Sequence, residues 1–165
     1  IIAYPFMKRI TFWPQLFLGF TFNWGVLLGW SVFFENLTIE TIILYMAAIF
    51  WTLGYDTIYA LQDRRDDLKI KIKSTAIKFG SDIKNFLFFC YISSITFLIA
   101  LGFLTNRSLV YFILLVIAAL HLAYQVLTIK KIKSNNKDKI QIVFNSNNSF
   151  GILIFLIFFL EIYNA

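Results

Sequence analysis

Charge is scarce in this 165-residue sequence: only 15% of its residues are Asp, Glu, Lys or Arg, where an ordinary soluble domain carries about 25%. That scarcity excludes a disordered polyelectrolyte and a basic nucleic-acid-binding tail, so no nucleic-acid partner is expected. Two Pro and seven Gly exclude collagen-like and Pro-rich fibres. The single cysteine, Cys90, has no partner for an internal disulfide, and one cysteine with one histidine cannot build a Cys/His metal centre. Any metal must therefore be held by carboxylates, which favour hard ions such as Mg²⁺. What the sequence has in abundance is apolar surface, at 59% hydrophobic and 19% aromatic. The chain begins at Ile1, and IIAYPFMKR lacks the order of a signal peptide, because its basic residues follow the apolar ones. The numbering is expected to start inside a longer protein or a broken reading frame.

A membrane helix needs about 20 apolar residues. Five stretches qualify as candidate spans: 11–34, 41–62, 86–104, 109–129 and 148–163. The last is short unless Ile140–Asn148 extends it, and the polar run Asn145–Ser149 interrupts that extension. The expected fold is all-α, a single polytopic transmembrane helical bundle in a lipid bilayer. Fourteen of the fifteen basic residues fall before the first span, between the second and third, or between the fourth and fifth; Arg107 is the exception. The positive-inside rule then places Lys8, Arg9, the loop 63–85 and residues 130–139 in the cytoplasm.

The second span ends in WTLGYDTIYALQDRRDD, Trp51 to Asp67. At about 100° per residue, Asp63 and Asp67 return to within about 20° of Asp56 on an α-helix. The three carboxylates share a face that runs from inside the membrane to its edge, while Asp66 points about 80° away. Stacked carboxylates repel, and a cation between them converts the repulsion into binding. Mg²⁺ takes one or two protein carboxylates together with phosphate oxygens and water, so the face reads as half of a Mg²⁺–diphosphate site. A solvated helix end, with Asp63, Asp66 and Asp67 paired to Arg64, Arg65 and Lys69, is the competing reading; it leaves the deeper Asp56 unexplained. The following LKIKIKSTAIKFG, Leu68 to Gly80, is too short and too charged to span. It reads either as an interfacial loop whose lysines snorkel to headgroups or as a lid whose Lys71 or Lys73 meets an anionic substrate.

YDTIYALQDRRDD followed by KSTAIKFG resembles the second Asp-rich motif and adjoining loop of the UbiA superfamily, the intramembrane aromatic prenyltransferases. YPFMKRITFWPQLFLGF resembles that family's Tyr-x-x-x-Lys segment, here Tyr4 and Lys8, followed by Pro14-Gln15, and FNSNNSFG resembles the start of its last helix. The resemblance runs in order along nearly the whole chain and is nearest the branch that prenylates 4-hydroxybenzoate. It implies a nine-helix enzyme with two Asp-rich motifs. The first, of Asn-Asp-x-x-Asp-x-x-x-Asp type, has no counterpart here, so the chain is expected to be the C-terminal part, lacking an N-terminal half. Two departures add positive charge to the loop: Lys71 stands where relatives usually have Gly, and Lys78 where they are usually apolar.

The implied reaction is Mg²⁺-dependent transfer of a polyprenyl group from polyprenyl diphosphate to 4-hydroxybenzoate, in ubiquinone biosynthesis at the cell inner membrane. By resemblance Asp63 and Asp67 bind Mg²⁺ and Asp56 supports them. Lys8 contacts the diphosphate with Tyr4 beside it, as the catalytic pair, and Lys73 is a further diphosphate contact. His121 and Cys90 read as packing or interhelical bonding residues. The alternatives are an ion-coupled transporter fragment built around Asp56, and a non-functional remnant of a split gene. With half of the ligands absent, the chain alone is expected to be inactive.

Overall fold

A computed structural model describes residues 4–34, 36–131 and 136–164. Its described residues form nine α-helices and one 3₁₀ turn, with no strand: α1 (Tyr4–Ile10), α2 (Pro14–Phe22), α3 (Trp24–Phe34), α4 (Ile39–Lys69), α5 (Thr75–Phe79), the 3₁₀ turn Gly80–Asp82, α6 (Ile83–Leu104), α7 (Leu109–Lys131), α8 (Lys137–Asn145) and α9 (Asn147–Asn164). Among the described residues, four segments are long and apolar enough to cross a membrane: Ile39–Lys69, Thr75–Leu104, Leu109–Ile129 and Lys137–Glu161.

The first expected span, 11–34, is not one helix. Pro14 opens α2 at a first-turn position, where its missing N–H is no loss, and the helix stops at Asn23. The Asn23 side chain donates to the Gly19 carbonyl and to Thr52 Oγ1 of α4, both at 2.8 Å. A polar side chain thus ends α2 and ties the break to α4, and α3 starts afresh at Trp24. The expected loop 63–85 is also corrected. α4 continues through it to Lys69, and α5, the 3₁₀ turn and the start of α6 occupy most of the rest. The break expected at Asn145–Ser149 is a single-residue junction at Ser146 between α8 and α9.

α4 is the axis of the bundle: 31 residues, about 46 Å at 1.5 Å per residue. It packs against α6 on one side, α2 and α5 on another, and α8 on a third. Gly54 permits the α4–α6 approach, because a Cβ there would overlap the Tyr91 ring. The core is apolar and aromatic, with Ile58, Leu87, Leu98, Tyr111, Leu122 and Phe150 almost wholly buried. The outer faces are equally apolar: Val32, Phe103 and Leu109 are each at least 70% exposed, as suits helices that meet lipid rather than water.

Buried polar groups in the spans bond across helices. Tyr91 Oη donates to Gln125 Oε1 at 2.8 Å, and Gln125 Nε2 donates to Ser146 Oγ at 2.9 Å. The interhelical role read for His121 is seen in its Nε2, 3.0 Å from the Ser146 carbonyl. Cys90 is fully buried. At the far end of the bundle Glu161 of α9 accepts from Ser108 N at 3.1 Å and from Ser108 Oγ, which clamps α9 to the start of α7.

Two helices end in the same kind of turn. After α4, Lys71 has φ +57°, Ile72 N bonds to the Asp67 carbonyl at 2.9 Å, and Lys71 N bonds to the Leu68 carbonyl at 3.4 Å. After α6, Asn106 has φ +50°, with Arg107 N to Gly102 O at 2.9 Å and Asn106 N to Phe103 O at 3.3 Å. Both are Schellman turns, which place one residue in the left-handed region favoured by Gly and tolerated by Asn. Lys71 is the residue least suited to it, at the position where Gly was expected from the resemblance.

Candidate functional site

Because α4 extends to Lys69, Asp56, Asp63 and Asp67 do stand on one continuous helix, and their shared face is real backbone geometry. They spread over about 16 Å of helix. Asp67 is only 6% exposed, and its Oδ2 is buried with no hydrogen-bond partner. Asp56 and Asp63 are half-buried. Asp66 is different: its exposed carboxylate pairs with Lys69 at 3.1 Å and Lys137 at 3.4 Å. The solvated-end reading therefore holds for Asp66, whereas the buried Asp67 does not fit it.

On the α2 side of this face the chain's other motif residues converge. Lys8, half-buried at the end of α1, acts electrostatically on both Asp56 and Asp67 without forming a direct ion pair. Lys73 takes another course. Its backbone N–H bonds to the Lys8 carbonyl at 2.8 Å, its ammonium donates to the Ile10 carbonyl at 3.0 Å, and the same ammonium lies 5.4 Å from the centre of the Phe12 ring. Lys73 is a strut between the loop and α1 in this arrangement. Tyr4 belongs to α1, but its side chain lies outside what the structure describes.

Spacing alone gave no role to Gln15, Thr57 and Thr75, although Pro14-Gln15 and KSTA carried the resemblance. Gln15 is 2% exposed, and its Oε1 accepts from Thr75 N at 3.1 Å. The Thr75 and Thr57 hydroxyls are 2.7 Å apart. Ser74, extended at φ −154° and ψ 162°, caps α5 by accepting from Ile77 N. The loop is thus docked on α1, α2 and α4, not a free lid. Lys78 joins it from outside, with its ammonium 4.5 Å from the Trp13 ring.

The residues fit a hard divalent cation. A buried carboxylate oxygen without a donor, on a helix face with two further carboxylates, is an oxygen site lacking positive charge. Among the described residues no group of three or more His, Cys, Asp or Glu is gathered tightly enough to enclose a metal. Asp56, Asp63 and Asp67 therefore do not form one closed three-ligand site. They offer one or two carboxylates at each level, the number Mg²⁺ uses when phosphate oxygens and water complete its shell.

A family model described as the UbiA prenyltransferase family matches residues 1–160. The chain is 41% identical over 157 residues to the mitochondrial 4-hydroxybenzoate polyprenyltransferase of Bos taurus, covering 94% of this chain and 42% of that protein. It is 41% identical over 156 residues to the enzyme of the same name from Arabidopsis thaliana, covering 94% and 38%. It is 43% identical over 157 residues to 4-hydroxybenzoate geranyltransferase 2 of Lithospermum erythrorhizon, covering 94% and 50%. The chain thus spans half or less of the length of these relatives. No solved structure matches it.

Proposed function

This chain belongs to the UbiA prenyltransferase family, and from that premise we propose that it supplies one wall of an intramembrane site that transfers a polyprenyl group from its diphosphate to 4-hydroxybenzoate. The acceptor is taken from what the cattle, Arabidopsis and Lithospermum relatives are named for. The observation that carries the reading is the Asp56–Asp63–Asp67 face of α4, with Asp67 Oδ2 buried and unpartnered and Lys8 acting on Asp56 and Asp67 across it.

Asp63 and Asp67 would hold Mg²⁺ on the diphosphate side, and Asp56 adds negative charge one to two turns deeper. The metal, when bound, supplies charge neutralisation for the departing diphosphate. Lys8 sets a positive charge opposite the aspartates, where an anionic leaving group can lie between carboxylate-bound metal and ammonium. Tyr4, four residues before Lys8, is assigned to the same wall. Lys73 remains a candidate diphosphate contact only if substrate draws its ammonium off the Ile10 carbonyl. The apolar outer faces of the spans keep water from the allylic carbon and suit a polyprenyl tail.

The second half of the site comes from an N-terminal half of the kind the longer relatives possess. The Asp-rich end of α4 faces the cytoplasm, as the placement of the basic residues directs, and the membrane is the inner membrane. The cattle and Arabidopsis relatives are named mitochondrial, so a mitochondrial membrane is the alternative location.

The test is reconstitution. The purified chain in lipid, with a polyprenyl diphosphate, 4-hydroxybenzoate and Mg²⁺, is expected to form no prenylated product by mass spectrometry. Addition of an N-terminal half from a relative is expected to restore it. In that mixture Asp63→Ala or Asp67→Ala abolishes turnover and Asp66→Asn leaves it unchanged. Product from the chain alone, or wild-type rates in the Asp63 or Asp67 variant, overturns the assignment.

A further inference from the structure

We propose that the segment Ile72–Thr75 is a clasp that sets the position of Lys8 over the aspartate face, and that Gln15 is its positioning residue. Two consecutive amides make the link. Ile72 N bonds to the carbonyl of Asp67 at 2.9 Å, and Lys73 N bonds to the carbonyl of Lys8 at 2.8 Å. The backbone of one charged residue is thus joined to the backbone of the other through a single residue, Ile72. α1 has only seven residues and contacts the rest of the bundle chiefly through α2. Among its described side chains, Phe6 to Ile10, none is buried, so packing there does not hold Lys8 in register.

The clasp is itself anchored at three points. Lys73 Nζ holds the Ile10 carbonyl at 3.0 Å. The Thr75 and Thr57 hydroxyls bond at 2.7 Å, which fixes the segment to α4. Gln15 accepts from Thr75 N at 3.1 Å, which fixes it to α2. The Gln15 bond is the one that unites the two sides. Thr75 is the first residue of α5, and its N–H has no partner within that helix. Gln15 is buried, so loss of its bond leaves a carbonyl and an N–H unpaired where water does not reach. Nothing in this geometry requires Gln15 to touch substrate.

The proposal rests on Lys8 and the aspartates being the diphosphate wall, so its test has one readout that needs no activity. Cys90, the one cysteine, is buried and is replaced by Ala. Nitroxide labels then go on cysteines substituted for the exposed Arg9 and Arg65, and the distance distribution between α1 and α4 is measured by pulsed dipolar spectroscopy in nanodiscs. A single narrow peak is expected for the parent.

Gln15→Met, close in shape and lacking the acceptor, should broaden the peak. Thr75→Pro should broaden it at least as much. Proline is accepted at the first helical position, and Ser74 already has the extended backbone required before it, so the variant removes the N–H within an unchanged turn; it also removes the hydroxyl bonded to Thr57, for which Thr75→Val is the control. Thr75→Val removes the hydroxyl bond to Thr57, keeps the N–H and should broaden the peak less than Thr75→Pro. The double variant Gln15→Met/Thr75→Pro should be no broader than Thr75→Pro alone.

In the reconstituted reaction Gln15→Met should raise KM for the diphosphate about tenfold, the scale of one lost buried hydrogen bond, with KM for the aromatic acid unchanged. A narrow peak in both Gln15→Met and Thr75→Pro, or equal broadening in Thr75→Val, overturns the clasp. Equal rises in both KM values overturn its link to the diphosphate. If the parent chain shows no turnover with any complement while the distances behave as stated, the functional reading has failed and the clasp stands.

Discussion

Lys71→Gly should make this protein more stable. Lys71 occupies the left-handed position of the turn that ends α4, at φ +57°, and the turn is closed by the bonds from Ile72 N to Asp67 O and from Lys71 N to Leu68 O. A residue with a Cβ held there costs about 1–2 kcal/mol. Glycine removes that cost but gives back part of it through the greater freedom of its unfolded chain, about 0.5–1 kcal/mol. Removing the lysine charge from a helix C-terminus gives back a few tenths more, about 0.3 kcal/mol at an exposed site. The net expectation is a gain of about 0.5 kcal/mol.

The decisive comparison is Lys71→Gly against Lys71→Ala, because both lose the charge and only one relieves the backbone. Thermal unfolding in detergent, followed by far-UV circular dichroism, should place the glycine variant above the alanine variant by roughly 2–4 °C, the shift about 1 kcal/mol produces in a chain of this size. Asn106→Gly should move Tm much less, because Asn already tolerates the left-handed region. Equal Tm for the Gly and Ala variants at 71 would refute the strain argument, since the same turn with the same hydrogen bonds would then be indifferent to a Cβ.

Glu161→Ala should lower stability by roughly 2 kcal/mol, because it removes both bonds to Ser108 and uncaps α7. Glu161→Gln should recover about half of that loss, and an alanine variant as stable as the parent in the same thermal scan would dismiss the clamp. Gly54→Ala should cost roughly 1–3 kcal/mol, the range for forcing a methyl into a filled interface, since its Cβ meets the Tyr91 ring edge. If Gly54→Ala unfolds no earlier than the parent, the α4–α6 approach is looser than described.

The spans were legible where a long apolar run had only one way to be buried. α4, α6 and α7 follow the expected segments because period and length agree there. The aspartate face was legible for the same reason: once α4 is a helix, 100° per residue fixes Asp56, Asp63 and Asp67 relative to one another. The break at Asn23 was not legible, because the nearest breaker, Gly25, lies inside α3 and not at the junction. It depends on an amide reaching Thr52 on another helix, a tertiary event with no local signature. The bond that Lys73 makes was hidden for a related reason. A lysine beside an anionic site reads as a ligand, but the Ile10 carbonyl that takes its ammonium is 63 residues away in sequence. Lys71 is the reverse case: the resemblance marked only a Gly replaced by Lys, and the turn at φ +57° gives that difference its physical meaning.

The way the bundle treats its polar groups singles out the site more firmly than the charges themselves. In a membrane interior an unpaired polar atom is costly, and the spans answer that demand almost everywhere: Tyr91 finds Gln125, Ser94 finds the Ala47 carbonyl, and Trp51 finds Asn147. Among the described residues the buried side-chain polar atoms left without a partner are Trp30 Nε1, Arg64 Nε and Asp67 Oδ2. Two of these three lie within four residues of each other at the Asp-rich end of α4. A fold that pairs Tyr91, Ser94 and Trp51 across helices, and docks its loop with a buried glutamine, has the means to pair Asp67 as well. That it instead leaves the carboxylate oxygen bare, with Asp63 one turn away and Lys8 acting on it, supports the cation-binding wall proposed above.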